Sequence, residues 1–189
     1  MIQLKYFEHF DGILPSGFLE SDFLKTILEM ANFKLGELGL VATGFDEDPT
    51  EQYEELIEVN LMSDAEIQAV NASLRGVDKP TDVISLRLDE ESLGCSKEGH
   101  SEDMRRPEIT GKWATESERK VHASACVFGE IYISLERCAE QAAELEQTFE
   151  EEFVFLLIHG VLHIFGYDHQ SPEEEEKMMS LAYEILGRK

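Results

Sequence analysis

Residues 159–169 read His-Gly-Val-Leu-His-Ile-Phe-Gly-Tyr-Asp-His. Three of the chain's six histidines stand there, spaced four and then six apart. On a helix of about 3.6 residues per turn, positions four apart lie about 40° apart on one face. His159 and His163 can therefore aim their rings at one point. Gly166 follows where a helix can end in a left-handed cap that glycine adopts at little cost. The chain then doubles back and delivers His169 as a third ligand. Three neutral imidazoles around a zinc ion leave a fourth position open, the layout of a catalytic rather than a closed structural site. A lone histidine on an apolar helix is better read as a core residue bonded to a carbonyl. Two facing histidines would both need partners, and a third after a glycine turn makes coincidence a poor explanation.

The spacing resembles the long zinc-protease pattern H-E-x-x-H-x-x-G-x-x-H. Every ligand and the glycine match. Gly160 stands where that pattern carries its general base, which argues against peptide hydrolysis. Three neutral ligands also leave zinc's full charge for an anion, so a phosphodiester is the better substrate.

The rest of the chain supplies a framework. Ile2–Phe7, Leu56–Met62, Asp82–Leu88 and Phe128–Ser134 alternate or run apolar and predict strands. Leu40–Phe45 predicts another short one, followed by a loop at Asp46–Pro49. Ser16 predicts a helix to about Phe33, where Phe18, Leu19, Phe23, Leu24, Ile27 and Leu28 form a stripe. Ser63 with Glu66 forms a capping box for a helix to about Leu74, stopped by Gly76. Leu135–Leu145 predicts a further helix. Thr148 with Glu151 starts the histidine helix, whose apolar breadth makes it central and buried. Ser171-Pro172 opens a last helix to about Leu186. Its acid run, Glu173–Glu176, reads as a solvated helix start.

At 189 residues and 42% hydrophobic the chain suits one domain with a sizeable core. No apolar run reaches membrane length, and Met1–Gly12 lacks signal-peptide character, so a cytosolic protein is expected. Cys95, Cys126 and Cys138 are odd in number and form no close pair, which argues against a disulfide framework and a thiolate zinc site. They read as buried or incidental thiols. The net charge of −24 repels bulk nucleic acid and favours basic protein partners or simple solubility. Residues 97–120 are the exception, with basic and acidic residues in balance. Residues 89–124 as a whole predict a long, weakly periodic loop that carries Arg105-Arg106 and Arg119-Lys120.

A second constellation is Asn71-Ala-Ser-Leu-Arg75-Gly-Val-Asp-Lys79-Pro-Thr-Asp82-Val-Ile-Ser85. Arg75 and Lys79 bracket a glycine turn between a helix and a strand. An arginine there offers a planar fork that fits phosphate. Composition alone favours a surface arginine paired with a nearby acid.

Three blocks in order, Asn71–Ser85, Gly129–Ser134 and His159–His169, resemble the YbeY family of bacterial endoribonucleases. The resemblance spans roughly residues 55–187. It implies an α/β fold of α+β-like character: one domain over 1–189, with a small mixed sheet of about four strands, helices packed on it, and a zinc site on a central buried helix. It implies one zinc per chain held by His159, His163 and His169, with Arg75 binding or polarising the scissile phosphate; Lys79, across the turn from Arg75, reads as a further substrate contact. It implies single-strand-selective cleavage in the maturation of small-subunit ribosomal RNA and in ribosome quality control. The implied partners are the small ribosomal subunit, one of its proteins and an assembly GTPase. Two departures stand out: Ser85-Leu86-Arg87 where the family often has S-F-P, and the insertion at about 89–124. Asp168, beside a ligand, reads as an orienting residue more than a base. Two other functions fit the residues, namely a metallohydrolase with another substrate and a non-enzymatic assembly factor whose zinc is structural.

Overall fold

A computed structural model describes residues 2–8, 14–40, 55–88 and 127–188. Four strands are present among them: β1 (Ile2–Glu8), β2 (Glu55–Met62), β3 (Val83–Arg87) and β4 (Val127–Ser134). The helices are α1 (Asp22–Glu37), α2 (Asp64–Arg75), α3 (Leu135–Glu144), α4 (Phe149–Ile164) and α5 (Pro172–Ile185). The sheet order is β1-β2-β4-β3. β1, β2 and β4 run parallel, and β3 closes one edge antiparallel to β4. This is the mixed four-stranded α/β arrangement expected.

The strand period of two sorts side chains onto the two faces. Ile57, Val59 and Leu61 of β2 and Ile131 and Ile133 of β4 are wholly buried on one face, in a core with α1, α3, α4 and α5. Met62, Ile84 and Tyr132 turn to the other, where Ile67 and Val70 of α2 cover them. Burial on both faces is what parallel strands require. α4 lies across β3 and β4 and buries ten of its residues. It is the central helix the apolar run predicts.

Local chemistry fixes most boundaries. Ser63, Thr148 and Ser171 each accept from the backbone of a glutamate three residues on, which returns the bond to the cap's own N–H. Such caps each contribute about 1 kcal/mol. Ser134 ends β4 and caps α3, and its buried hydroxyl donates to Asp64 Oδ1 at 2.7 Å. Asp64 also takes Arg137 Nε at 3.0 Å. The start of α2 is thereby tied to the start of α3.

One helix start differs from expectation. α1 is capped by Ser21, whose side chain accepts from Leu24 N, and not by Ser16. Residues 14–20 form turns, with Phe18 N donating to Pro15 O and Gly17 at φ +75°. Phe18 is still buried, with its ring edge-on to Phe153. Its place in the apolar stripe marked burial, not helix. The short strand expected at Leu40–Phe45 past its first residue, the loop at Asp46–Pro49, the insertion at 89–124, and Cys95 and Cys126 lie outside the described residues. Cys138 is a free, buried thiol whose pKa is pushed up by burial and then by Glu152 and Glu150. It is the inert kind its sequence context suggests.

Glu152 is the one buried carboxylate among the described residues. It accepts from Gln147 Nε2. Burial first, then the charge of Asp82, raises its pKa above the ordinary 4.5, and Arg188 and Gln147 act against that. The folded chain thus holds this proton to higher pH than the unfolded chain. Above pH 4.5 stability falls as pH rises through the folded-state value. Glu152→Gln keeps an acceptor and removes the charge. It is expected to unfold at higher urea than wild type at neutral pH, with the gain shrinking as pH falls toward 4.5. An advantage that does not change with pH would contradict this account.

Candidate metal centre

α4 ends in a turn that positions His169, the third candidate ligand. Gly166 takes φ +87°, its N–H donates to His163 O at 2.9 Å, and Tyr167 N–H donates to Leu162 O at 3.0 Å. These two bonds form a Schellman motif, and they turn the chain back over the last helical turn. Asp168 then accepts from His169 N at 2.8 Å and from Gln170 Nε2 at 2.6 Å. Those bonds, the His169 one first, hold its carboxyl below the ordinary range. Asp168 fixes the ligand-bearing loop, in the orienting role expected of it.

The three histidines converge. One nitrogen of each lies within 4.8 Å of the others. His159 Nε2 and His163 Nε2 are 3.1 Å apart. Ligand nitrogens on a tetrahedral zinc, at about 2.0–2.1 Å from the ion, are separated by roughly 3.4 Å. His163 Nδ1 lies 2.9 Å from Tyr167 O. A carbonyl can only accept, so Nδ1 carries the proton and Nε2 is left with its lone pair facing His159. His159 Nε2–H can donate to that lone pair, and with its proton on Nδ1 instead both Nε2 lone pairs would face a shared cation. Donor set, tautomer and spacing therefore fit a zinc ion.

The pocket keeps these rings neutral. Burial first, then His163 and His169, lower the pKa of His159 to about 4, with Asp82 opposing. Burial also lowers His163, against the pull of the Tyr167 carbonyl. Neither ring competes for a proton at pH 7. His159 Nδ1 is buried without a partner among the described residues. Its ring is held instead by stacking on Phe155, centroids 5.9 Å apart.

A cavity of about 720 Å³ opens over the cluster, lined also by Arg75, Asp82, Phe155, Tyr167 and Asp168. Arg75 is the last residue of α2, and Gly76 caps that helix at φ +69°. Among the described residues the ion pairs involve Lys25, Lys34, Arg137 and Arg188, not Arg75. The surface pair that composition suggests is absent there. Lys79 does not line the cavity. Its carbonyl accepts from buried Asn71 Nδ2 at 2.8 Å, which pins the turn after Arg75, while its side chain is exposed.

Sequence reasoning passed over two lining residues. Asp82 Oδ1 accepts from Val83 N and Thr81 Oγ1, and Oδ2 from Gln141 Nε2. Burial would raise its pKa, but these bonds outweigh it and keep it ionised. The signal available was a Thr-Asp pair at a strand entry beside the arginine turn. Phe155 stands one helical turn before His159, which alone could have placed it at the cavity.

Comparison with known proteins adds to this geometry. Residues 38–189 match the family model described as Endoribonuclease YbeY. A relative of that name from Exiguobacterium sp. is 39% identical over 140 residues, covering 74% of this chain and 73% of its own. One from Bacillus subtilis is 33% identical over 176 residues, covering 93% and 92%. The solution structure of TM1509 from Thermotoga maritima aligns with a TM-score of 0.50 at 26% identity, over 99% of this chain and 90% of that one.

Proposed function

The chain belongs to the YbeY endoribonuclease family, and on that premise we propose that it is a zinc-dependent endoribonuclease that cuts single-stranded RNA. Its place is the maturation of small-subunit ribosomal RNA and ribosome quality control, in the cytoplasm. The observation that carries this reading is the convergence of three histidines and one arginine, unpaired among the described residues, on a single cavity. When bound, zinc supplies Lewis acidity and a water of lowered pKa.

The chain's own residues do the rest. His159, His163 and His169 hold the ion. Arg75 offers two parallel N–H groups to the scissile phosphate and meets the charge that grows in the transition state. Phe155 and Tyr167 wall the cavity with rings that exclude water. Asp82 and Asp168 are held ionised, so neither is suited to donate a proton to the leaving oxygen at neutral pH. Lys79 contacts RNA outside the cavity. The net charge of −24 confines RNA to this patch and directs other faces to basic partners: the small ribosomal subunit, one of its proteins and an assembly GTPase.

Arg75→Ala is expected to slow cleavage of a single-stranded RNA by about 100-fold with metal content unchanged. Metal analysis beside a cleavage assay reads both. Wild-type rates from Arg75→Ala, or cutting of peptides in place of RNA, would overturn the assignment. The same acidic charge favours a second reading, an assembly factor whose zinc serves structure. It predicts that the zinc-loaded chain cuts nothing and that Arg75→Glu leaves ribosome association intact.

A further inference from the structure

α5 buries Met178, Ala182 and Ile185 against the core. Tyr183 sits among them and is 40% exposed. Its ring stacks on Phe155, with centroids 6.4 Å apart and planes 27° from parallel. Phe155 in turn stacks on His159 at 28° and lines the cavity. Three rings in near-parallel planes thus run from a metal ligand out to the surface. The same helix places Lys177 Nζ 5.4 Å from the ring centre of Tyr167, the other aromatic wall. Glu184, next to Tyr183, is occupied by Lys34 at 2.6 Å. The outer ring therefore borders a neutralised carboxylate.

We propose that Phe155 and Tyr183 form a nucleobase subsite: an unpaired base beside the scissile phosphate stacks on Tyr183 while its phosphate lies toward Arg75 and the histidines. The inference rests on the nuclease reading and deepens it. Aromatic platforms beside a cationic phosphate site are how proteins hold single strands without reading sequence. A base inside a duplex has both faces covered by its neighbours and cannot reach such a ring. The subsite therefore supplies a physical reason for cutting single strands.

The test uses the full chain under chelation, so that nothing is cut, with a single-stranded uridine oligomer carrying one 2-aminopurine. Wild type is expected to quench that base on binding. Tyr183→Ala is expected to lose the quenching and to bind on the order of tenfold more weakly, while Tyr183→Phe keeps both. An oligomer with an abasic site in place of the 2-aminopurine should bind wild type as weakly as the intact oligomer binds Tyr183→Ala. The two losses should not add. Tyr183→Ala that binds and quenches like wild type would overturn the subsite and leave the nuclease reading standing. A zinc-loaded wild type that neither binds nor cuts RNA would overturn both.

Discussion

His163→Ala is expected to lose its zinc and to cut RNA on the order of 1,000-fold more slowly than wild type. Among the three histidines it is the one whose chemistry the fold fixes most completely. The Tyr167 carbonyl sets its tautomer at 2.9 Å, and that carbonyl is itself placed by the glycine turn. Its Nε2 then faces His159 at 3.1 Å. Alanine leaves His159, on the helix, with only the exposed, loop-borne His169. Two ligands of unequal rigidity bind far more weakly than three converging ones. The ring is only half-buried, so the metal-free fold should survive. Metal analysis, a cleavage assay and a urea midpoint separate these effects. Cleavage that persists through both chelation and His163→Ala would rule out a zinc nuclease.

Gly160→Glu, which writes the protease glutamate back into the motif, is expected to destabilise the chain by about 3 kcal/mol or more. A Cβ at this position would stand 3.1 Å from Ile131 Cγ2 and 3.2 Å from its Cδ1. Residue 160 thus faces the sheet, against Ile131 of β4. A glutamate there would drive a carboxylate into the core and reach no metal. Gly160→Ala is the control. It stays within about 1 kcal/mol of wild type, since helix propensity offsets the crowding. Urea midpoints of both variants decide the matter, and a Glu variant as stable as wild type would show that the helix can lift. The missing base of the sequence motif is therefore a packing requirement as well as a chemical difference.

How legible the molecule was depends on which force decides each element. α2, α4 and α5 begin where Ser63, Thr148 and Ser171 said they would, because capping boxes are written in side chains within one turn of the start. β2 and β4 followed their apolar alternation. α1 begins after Ser21 and not at Ser16, because the residues from Pro15 to Phe18 close a turn. The histidine cluster was readable because its geometry is that of one helix and one turn. Its surroundings were not. Within the unbroken apolar run only the four-residue spacing to His159 separates Phe155, which lines the cavity, from Phe153, which fills the core. Asp82 is kept a half-buried, ionised acceptor with the help of Gln141 of α3, a partner remote in sequence. Lys79 looked like a twin of Arg75 but lies beyond the helix end, and only the path of the turn tells them apart.

The Schellman turn has a consequence for when the protein becomes competent. His159, His163 and His169 are close neighbours along the chain, joined by one helix and the turn that ends it. Such contacts close early and at little entropic cost. Arg75 reaches the same cavity only after β3, β4 and α2 have assembled into the sheet, through pairings of long sequence separation. In a refolding chain the three histidines can therefore converge before Arg75 joins them. The cluster and its arginine depend on two kinds of contact, one local to a helix and its turn and one that waits for the sheet.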